Sequence, residues 1–158
     1  MGARRRARIR VLRILYSLQA GGDFVESMND IRQILDLLDL HFPLEGFSES
    51  EILGDIAFAN QLALGVVQNS DELDELIEST GAKWKTSRMD YIDLCLLRMG
   101  AFELCNIEGV PPAVTINEAV ELASEYGSGR SASFVNGILD EVKRKTARDP
   151  HNNRVGGG

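Results

Sequence analysis

The sequence predicts an all-α fold of about seven helices, and three observations carry that expectation. Apolar residues recur at spacings of three, four and seven along most of the chain, while no stretch alternates with the period of two a strand needs. Gly, Pro, Ser and Asp fall between the periodic segments, where helices start and stop. Hydrophobic residues make up 44% of the 158 positions and aromatics only 6%, so aliphatic side chains must fill most of the core.

The first helix runs from about Ala3 to Ala20 and stops at Gly21-Gly22. On a wheel of ~100° per residue, Ala7, Val11, Ile14, Leu15 and Leu18 share one face. Ile9, Leu12 and Tyr16 lie nearly opposite, and Arg6, Arg10 and Arg13 form the polar stripe between. Such a helix is either sandwiched in a core or keeps one face for a partner. A second helix carries Met28, Ile31, Leu35 and Leu38 and ends before Pro43. Ser48 with Glu51 reads as a capping box for a third, with Ile52, Ile56, Ala59, Ala63 and Val66/Val67 inward. Ser70 starts a fourth, with Leu73, Leu76 and Ile77, ended near Gly81.

Ser87 with Asp90 opens a Leu-rich fifth helix, Arg88 to Cys105. Pro112 suits the first turn of a sixth, which runs to Tyr126 with Ile116, Ala119, Val120 and Ala123 as a small-residue inner stripe. Ser131 caps a seventh, with Val135, Ile138, Leu139 and Val142 inward. The length suits a single domain over residues 1–148, or two small helical halves sharing one core. The polar, glycine-ended stretch 149–158 reads as a disordered tail.

Charge is divided unevenly. Six arginines and no acid lie between Met1 and Arg13, in a chain of formal net charge −7. From Asp140 onward five basic residues face three acids, leaving six basic and 21 acidic residues, a net −15, between Ile14 and Leu139. Positive charge gathered at one end can bind phosphate there, while the acidic remainder attracts something basic. The bland alternative for Arg4, Arg5, Arg6 and Arg8 is a solvated, helix-favouring run. Against it, they have no acid at i+3 or i+4, and arginine throughout suits forked recognition of phosphate.

Other features bound the chemistry. Cys95 and Cys105 read as buried thiols of a reduced protein, not a disulfide or metal pair. No Cys/His cluster has ligand spacing, so no metal and no cofactor is expected. Glu118, Glu121 and Glu125 line one helix face without a companion base or nucleophile, so catalysis is not expected and they read as a solvated acidic face. No apolar run is long enough for a membrane span, and the protein is expected to be soluble and cytoplasmic. Phe134 falls at the edge of the last helix's apolar stripe, beside Arg130, Ser131 and Ser133. It is either a core-edge packing residue or a platform on which a base stacks. Trp84, between Lys83 and Lys85, is likewise either a stacking ring or a loop anchor.

Several blocks then carry a resemblance. They are Ala3-Arg4-Arg5-Arg6-Ala7-Arg8 with Leu15-Tyr16, Asp93-Leu94 through Leu97-Arg98-Met99 to Phe102-Glu103-Leu104, and Val110-Pro111. Val114-Thr115-Ile116-Asn117-Glu118-Ala119-Val120-Glu121-Leu122-Ala123 and Phe134-Val135-Asn136-Gly137-Ile138-Leu139-Asp140 complete them. In this order and spacing, from about residue 3 to 142, they resemble the bacterial transcription antitermination NusB family. The resemblance implies two packed helical sub-bundles and a non-catalytic role. It implies binding of single-stranded boxA RNA together with NusE, a small-subunit ribosomal protein, in a complex on RNA polymerase that keeps transcription of ribosomal RNA operons processive. It assigns RNA contact to Arg4, Arg5, Arg6, Arg8 and Phe134, and the NusE-facing surface to Tyr16 and Asp93. Two departures stand out: a longer segment at 37–50, and Arg130 where some members carry an acid.

Two other readings are weighed beside it. One is a protein-only scaffold or homodimer with a seam of Ile9, Leu12 and Tyr16. The other is a detached RNA-guiding domain of a ribosomal RNA cytosine methyltransferase. The chain has neither a glycine-rich cofactor loop after a strand nor a Pro-Cys nucleophile motif, which counts against the latter. Four to five phosphate contacts would give a log-log salt slope of about −3 to −3.5 with single-stranded RNA.

Overall fold

The computed structural model describes residues 3–21, 48–81, 83 and 85–148. Among them are six α-helices, one 3-10 turn and no strand. The helices are α1 (Ala3–Ala20), α2 (Glu49–Gln68), α3 (Ser70–Glu78), α4 (Tyr91–Asn106), α5 (Pro112–Tyr126) and α6 (Ser131–Arg148), with the 3-10 turn at Thr86–Arg88. The expected helix around Met28 to Leu38, the long segment up to residue 47, Trp84 and the 149–158 tail lie outside the described residues.

The chain divides into two compact units, Met1–Val67 and Gln68–Gly158. The first holds α1 and nearly all of α2. Ala7, Val11 and Leu15 are buried, as the wheel requires, but so are Ile9 and Leu12 on the opposite face. The helix is therefore sandwiched, and a homodimer seam of Ile9, Leu12 and Tyr16 is not available as drawn: only Tyr16 is exposed. In α2 the inward face keeps Ala59, Ala63 and Val66 as expected but is wider than apolar spacing implies. Asp55, Phe58, Ala59, Leu62, Ala63 and Val66 are buried, whereas Ile56 is half-buried. Apolar periodicity missed Asp55 because it takes no account of a buried acid.

The second unit is built on α4, which is buried on all sides from Asp93 to Glu103 and packs against α3, α5 and α6. A helix apolar around its circumference belongs at the centre of a bundle. Gly100 lets α6 approach closely: a Cβ there would lie 2.6 Å from a methyl of Leu139, which is itself fully buried. Two polar pairs sit in this core. Arg98 grips Asp74 of α3 with both forks, Nε to Oδ1 at 2.7 Å and Nη2 to Oδ2 at 2.8 Å. Thr115 Oγ1 donates to Glu103 at 3.3 Å. Lys145 of α6 donates to the Ser79 carbonyl at 2.6 Å, placing a cation at the negative end of α3.

Helix boundaries differ from expectation in two places. The fifth predicted helix starts three residues late, because Glu78 accepts from both the amide and the hydroxyl of Thr86 at 3.0 Å. That anchor winds Thr86–Arg88 into a single tight turn, and extended backbone at Met89 and Asp90 separates it from α4. Ser131 is not a cap but the first residue inside α6, since the Phe134 amide donates to the Arg130 carbonyl. In α5, Thr115 and Leu122 join Ile116, Ala119 and Ala123 in the buried face, and Val120 is only half-buried. The four apolar positions of α6, Val135, Ile138, Leu139 and Val142, are buried as read. Between α4 and α5 the chain turns at Gly109, whose φ of +86° a side chain would strain.

Candidate nucleic-acid interface

The arginine run begins at the positive end of α1, with no acid in its first turn. Cations there oppose the helix dipole and destabilise the helix. Something else must hold the run in place, and α2 supplies it. Arg6 Nη2 donates to Asp55 Oδ2 at 3.0 Å, with the Asp55 side chain 4% exposed. Two further arginines lie over the Phe58 ring: the Arg4 guanidinium carbon is 4.6 Å and the Arg8 one 5.1 Å from its centroid.

The four predicted RNA-contacting arginines therefore differ. Arg4 is exposed, Arg5 and Arg6 are half-buried, and Arg8 is 3% exposed. Arg8 is therefore not part of a solvated run: its side chain is packed beside Phe58. Mutual repulsion is visible at Arg10, whose pKa is pushed down by burial and by Arg13 and Arg6, with Asp55 acting against them. Asp55 is the shared counter-ion of the cluster. Sequence reasoning missed Asp55 and Phe58. The signal was available as an acid and an aromatic three residues apart, hence on one face of a helix.

The second unit carries a cavity of about 880 Å³. Phe134, half-buried on the first turn of α6, forms part of its wall. Lys83, Lys85, Arg88 and Arg130 line it, together with the acids Asp90, Asp93 and Glu141. Sequence reasoning noted Lys83 and Lys85 only as neighbours of Trp84 and Arg130 as a neighbour of Phe134 and a departure from the family, and did not bring Arg88 to them.

One corner is tightly built. Ser131 Oγ accepts from the Ser128 amide at 2.9 Å and contacts the Ser128 hydroxyl at 3.2 Å. The same hydroxyl is near enough to Asp93 to favour its charged form. This closeness requires Gly127, because a Cβ there would meet the Ser131 hydroxyl and come within 2.7 Å of the Ala123 carbonyl. Asp93 is 7% exposed, and its Oδ1 has no hydrogen-bond partner. Desolvation raises its pKa, the Ser131 hydroxyl lowers it and repulsion from Asp90 raises it, with a net upward result.

The remaining expected site residue, Tyr16, is 41% exposed on α1. Both cysteines are buried, and burial pushes the Cys95 thiol up to about 12 and Cys105 up to about 11. No cluster of metal-ligating side chains occurs among the described residues. No described helix is long and apolar enough to cross a membrane.

Comparison with known proteins agrees with the resemblance. The chain is 37% identical over 147 residues to a transcription antitermination protein NusB of Syntrophus aciditrophicus, an alignment covering 92% of this chain and 82% of that one. It superposes on a NusB of T. maritima with a TM-score of 0.72 at 30% identity, covering 90% of this chain and 91% of that one. A complex of the antitermination factors NusB and NusE with double-stranded RNA gives a TM-score of 0.70 at 21% identity, covering 90% and 97%, and shares the fold. The NusB family model matches residues 5–144, and the chain belongs to the NusB family.

Proposed function

We propose that this protein is a non-catalytic antitermination factor that binds boxA-type single-stranded RNA and a basic ribosomal protein of the NusE kind, in the cytoplasm, within a transcribing RNA polymerase complex. The observation that carries the reading is the arginine run at the start of α1. These cations sit at the wrong end of the helix dipole and are held there by a buried acid and an aromatic ring. A structure that stabilises clustered positive charge in this way keeps it for a ligand of opposite sign. Arg4 and Arg5 supply phosphate contacts, Arg6 and Arg8 fix the helix start that presents them, and Phe134 offers a stacking face. The family's NusB–NusE assembly with RNA supports both partners. Tyr16, exposed on α1, belongs to the protein-facing surface, and the acidic remainder of the chain suits a cationic companion.

Fluorescence titration of boxA RNA and of a scrambled strand, with and without NusE, at two salt concentrations tests the proposal. The Arg4→Ala/Arg5→Ala variant is expected to bind roughly tenfold more weakly with an unchanged thermal midpoint. Binding equal to the parent overturns the assignment.

A further inference from the structure

Phe58 of α2 is buried, yet the Arg4 side chain lying over its ring is exposed. Cation–π attraction at 4.6 Å restrains a guanidinium that would otherwise sample many rotamers. The side of Arg4 turned away from the ring is left to solvent. Arg8, over the same ring at 5.1 Å, is buried and has no such open side, and Arg6 is committed to Asp55. Packing needs only one cation on Phe58, and Arg8 supplies it. The second comes against resistance. The two charges lie within about 10 Å of each other, close to a Debye length, and repel. The positive end of α1 adds to that repulsion.

We propose that Arg4, held on Phe58, is a platform on which one nucleobase of a bound RNA strand stacks. The base covers the outer side of the guanidinium, and the guanidinium edge donates to an adjoining phosphate. Phe58 is then a positioning residue, because it fixes where Arg4 lies. The inference rests on the nucleic-acid reading above and adds to it a base contact within the first unit.

The chemistry suits an arginine and no other cation. Its planar, weakly hydrated guanidinium stacks on π faces and donates in its own plane, whereas a lysine ammonium is a compact point charge. Every base presents a π face, so the stack strengthens binding without choosing strongly among sequences. Binding also relieves the repulsion over Phe58, since the phosphate offsets the charge of Arg4. An aromatic side chain of a protein partner is the other group that could lie there. α1 holds six arginines and no acid, so charge favours a polyanion.

Fluorescence anisotropy of the full chain with boxA RNA, and with that strand carrying one abasic ribose at each position in turn, tests the stack. Arg4→Lys keeps the charge on an exposed residue. It should bind the intact strand about tenfold more weakly than the wild-type chain, with the same salt slope. At one position, removing the base should cost the wild-type chain about tenfold and Arg4→Lys less than about twofold. Losses at all other positions should match. Phe58→Leu, which leaves every charge in place, should shrink the loss at that same position only. An Arg4→Lys variant that binds the intact strand as tightly as the wild-type chain overturns the inference. So does one whose abasic losses follow the wild-type pattern throughout, and this comparison stands even where Phe58→Leu fails to fold. Weakening of NusE binding alone would give the platform to a protein and overturn it too. Failure of the wild-type chain to bind any strand removes the nucleic-acid reading, and the stack with it.

Discussion

Substituting Asp55→Asn should lower stability and sharpen the salt dependence of RNA binding at once. The Arg6–Asp55 pair closes at 3.0 Å, with side-chain exposures of 14% and 4%. At that distance and an effective dielectric of about 20, the gross Coulomb attraction is about 5.5 kcal/mol. Desolvation of both groups offsets much of it, and removing one member of a fully buried pair costs about 3–5 kcal/mol. Two features reduce that figure here. The Arg6 guanidinium retains some contact with water, and asparagine keeps a hydrogen-bond acceptor in place. A loss of about 2 kcal/mol is expected, which for a chain of this size is a fall of roughly 4–8 °C in thermal midpoint.

Asp55 also restrains the repulsion that lowers Arg10, so its loss raises the effective charge of the whole cluster. If Arg6 then turns to phosphate, the log-log salt slope steepens by about 0.7. Urea denaturation with an Arg6→Ala/Asp55→Asn cycle measures the coupling, and anisotropy at two salt concentrations measures the slope. A variant as stable as the parent, with the same slope, would show that Asp55 does not organise the arginines.

Asp93→Asn should stabilise the protein at neutral pH. The folded-state pKa of Asp93 is raised, so between the unfolded and folded values the native state holds the extra proton and stability falls as pH rises. The gain of the variant should therefore be largest above the folded pKa and vanish below the unfolded one, near pH 3–4; a gain that grows on acidification contradicts this. Gly127→Ala should cost about 1–3 kcal/mol in urea denaturation, since its Cβ would crowd the Ser131 hydroxyl and the Ala123 carbonyl. A loss under about 0.5 kcal/mol would mean the turn is looser than described. Cys95 and Cys105 should resist iodoacetamide in the native state at pH 8 and react in urea, read by mass spectrometry; rapid native labelling would contradict their burial.

Where a helix is amphipathic, apolar spacing alone locates its buried face. The inward side of α6 was legible for that reason: Val135, Ile138, Leu139 and Val142 repeat cleanly and nothing polar competes. In α2 the same logic found Ala59, Ala63 and Val66 but not Asp55, which is buried by its pairing with Arg6, a partner 49 residues away that no local pattern encodes. It also placed the start of the Leu-rich helix too early, since the bonds from Thr86 to Glu78 outcompete helix propagation through Ser87 and Met89. Ser131 looked like a cap because serine so often is one. Its hydroxyl instead accepts from the Ser128 amide, and only the close approach allowed by Gly127 makes that possible. Of the candidate site, composition exposed the arginines and the family motif exposed Phe134. The cavity arises where the end of α3, the 3-10 turn, α4 and α6 meet, and that meeting is not written in any one segment.

The arginine run also shows why counting charges overstates a phosphate footprint. Four to five contacts from this run would give a salt slope of about −3 to −3.5, treating each guanidinium as equally presented. The fold divides them: Arg8 is packed beside Phe58 and Arg6 is tied to Asp55. Arg4 and Arg5 together then account for a slope of only about −1.4. A measured slope near −3 must draw on cations elsewhere, and the four lining the Phe134 cavity are the next set. Arg4→Ala/Arg5→Ala should accordingly flatten the slope by about 1.4, while Arg8→Ala should lower the thermal midpoint and leave the slope unchanged. A flattening of about 0.7 in Arg8→Ala would mean that its guanidinium leaves Phe58 for phosphate. The packing seen around that ring would then describe the chain only before it meets RNA.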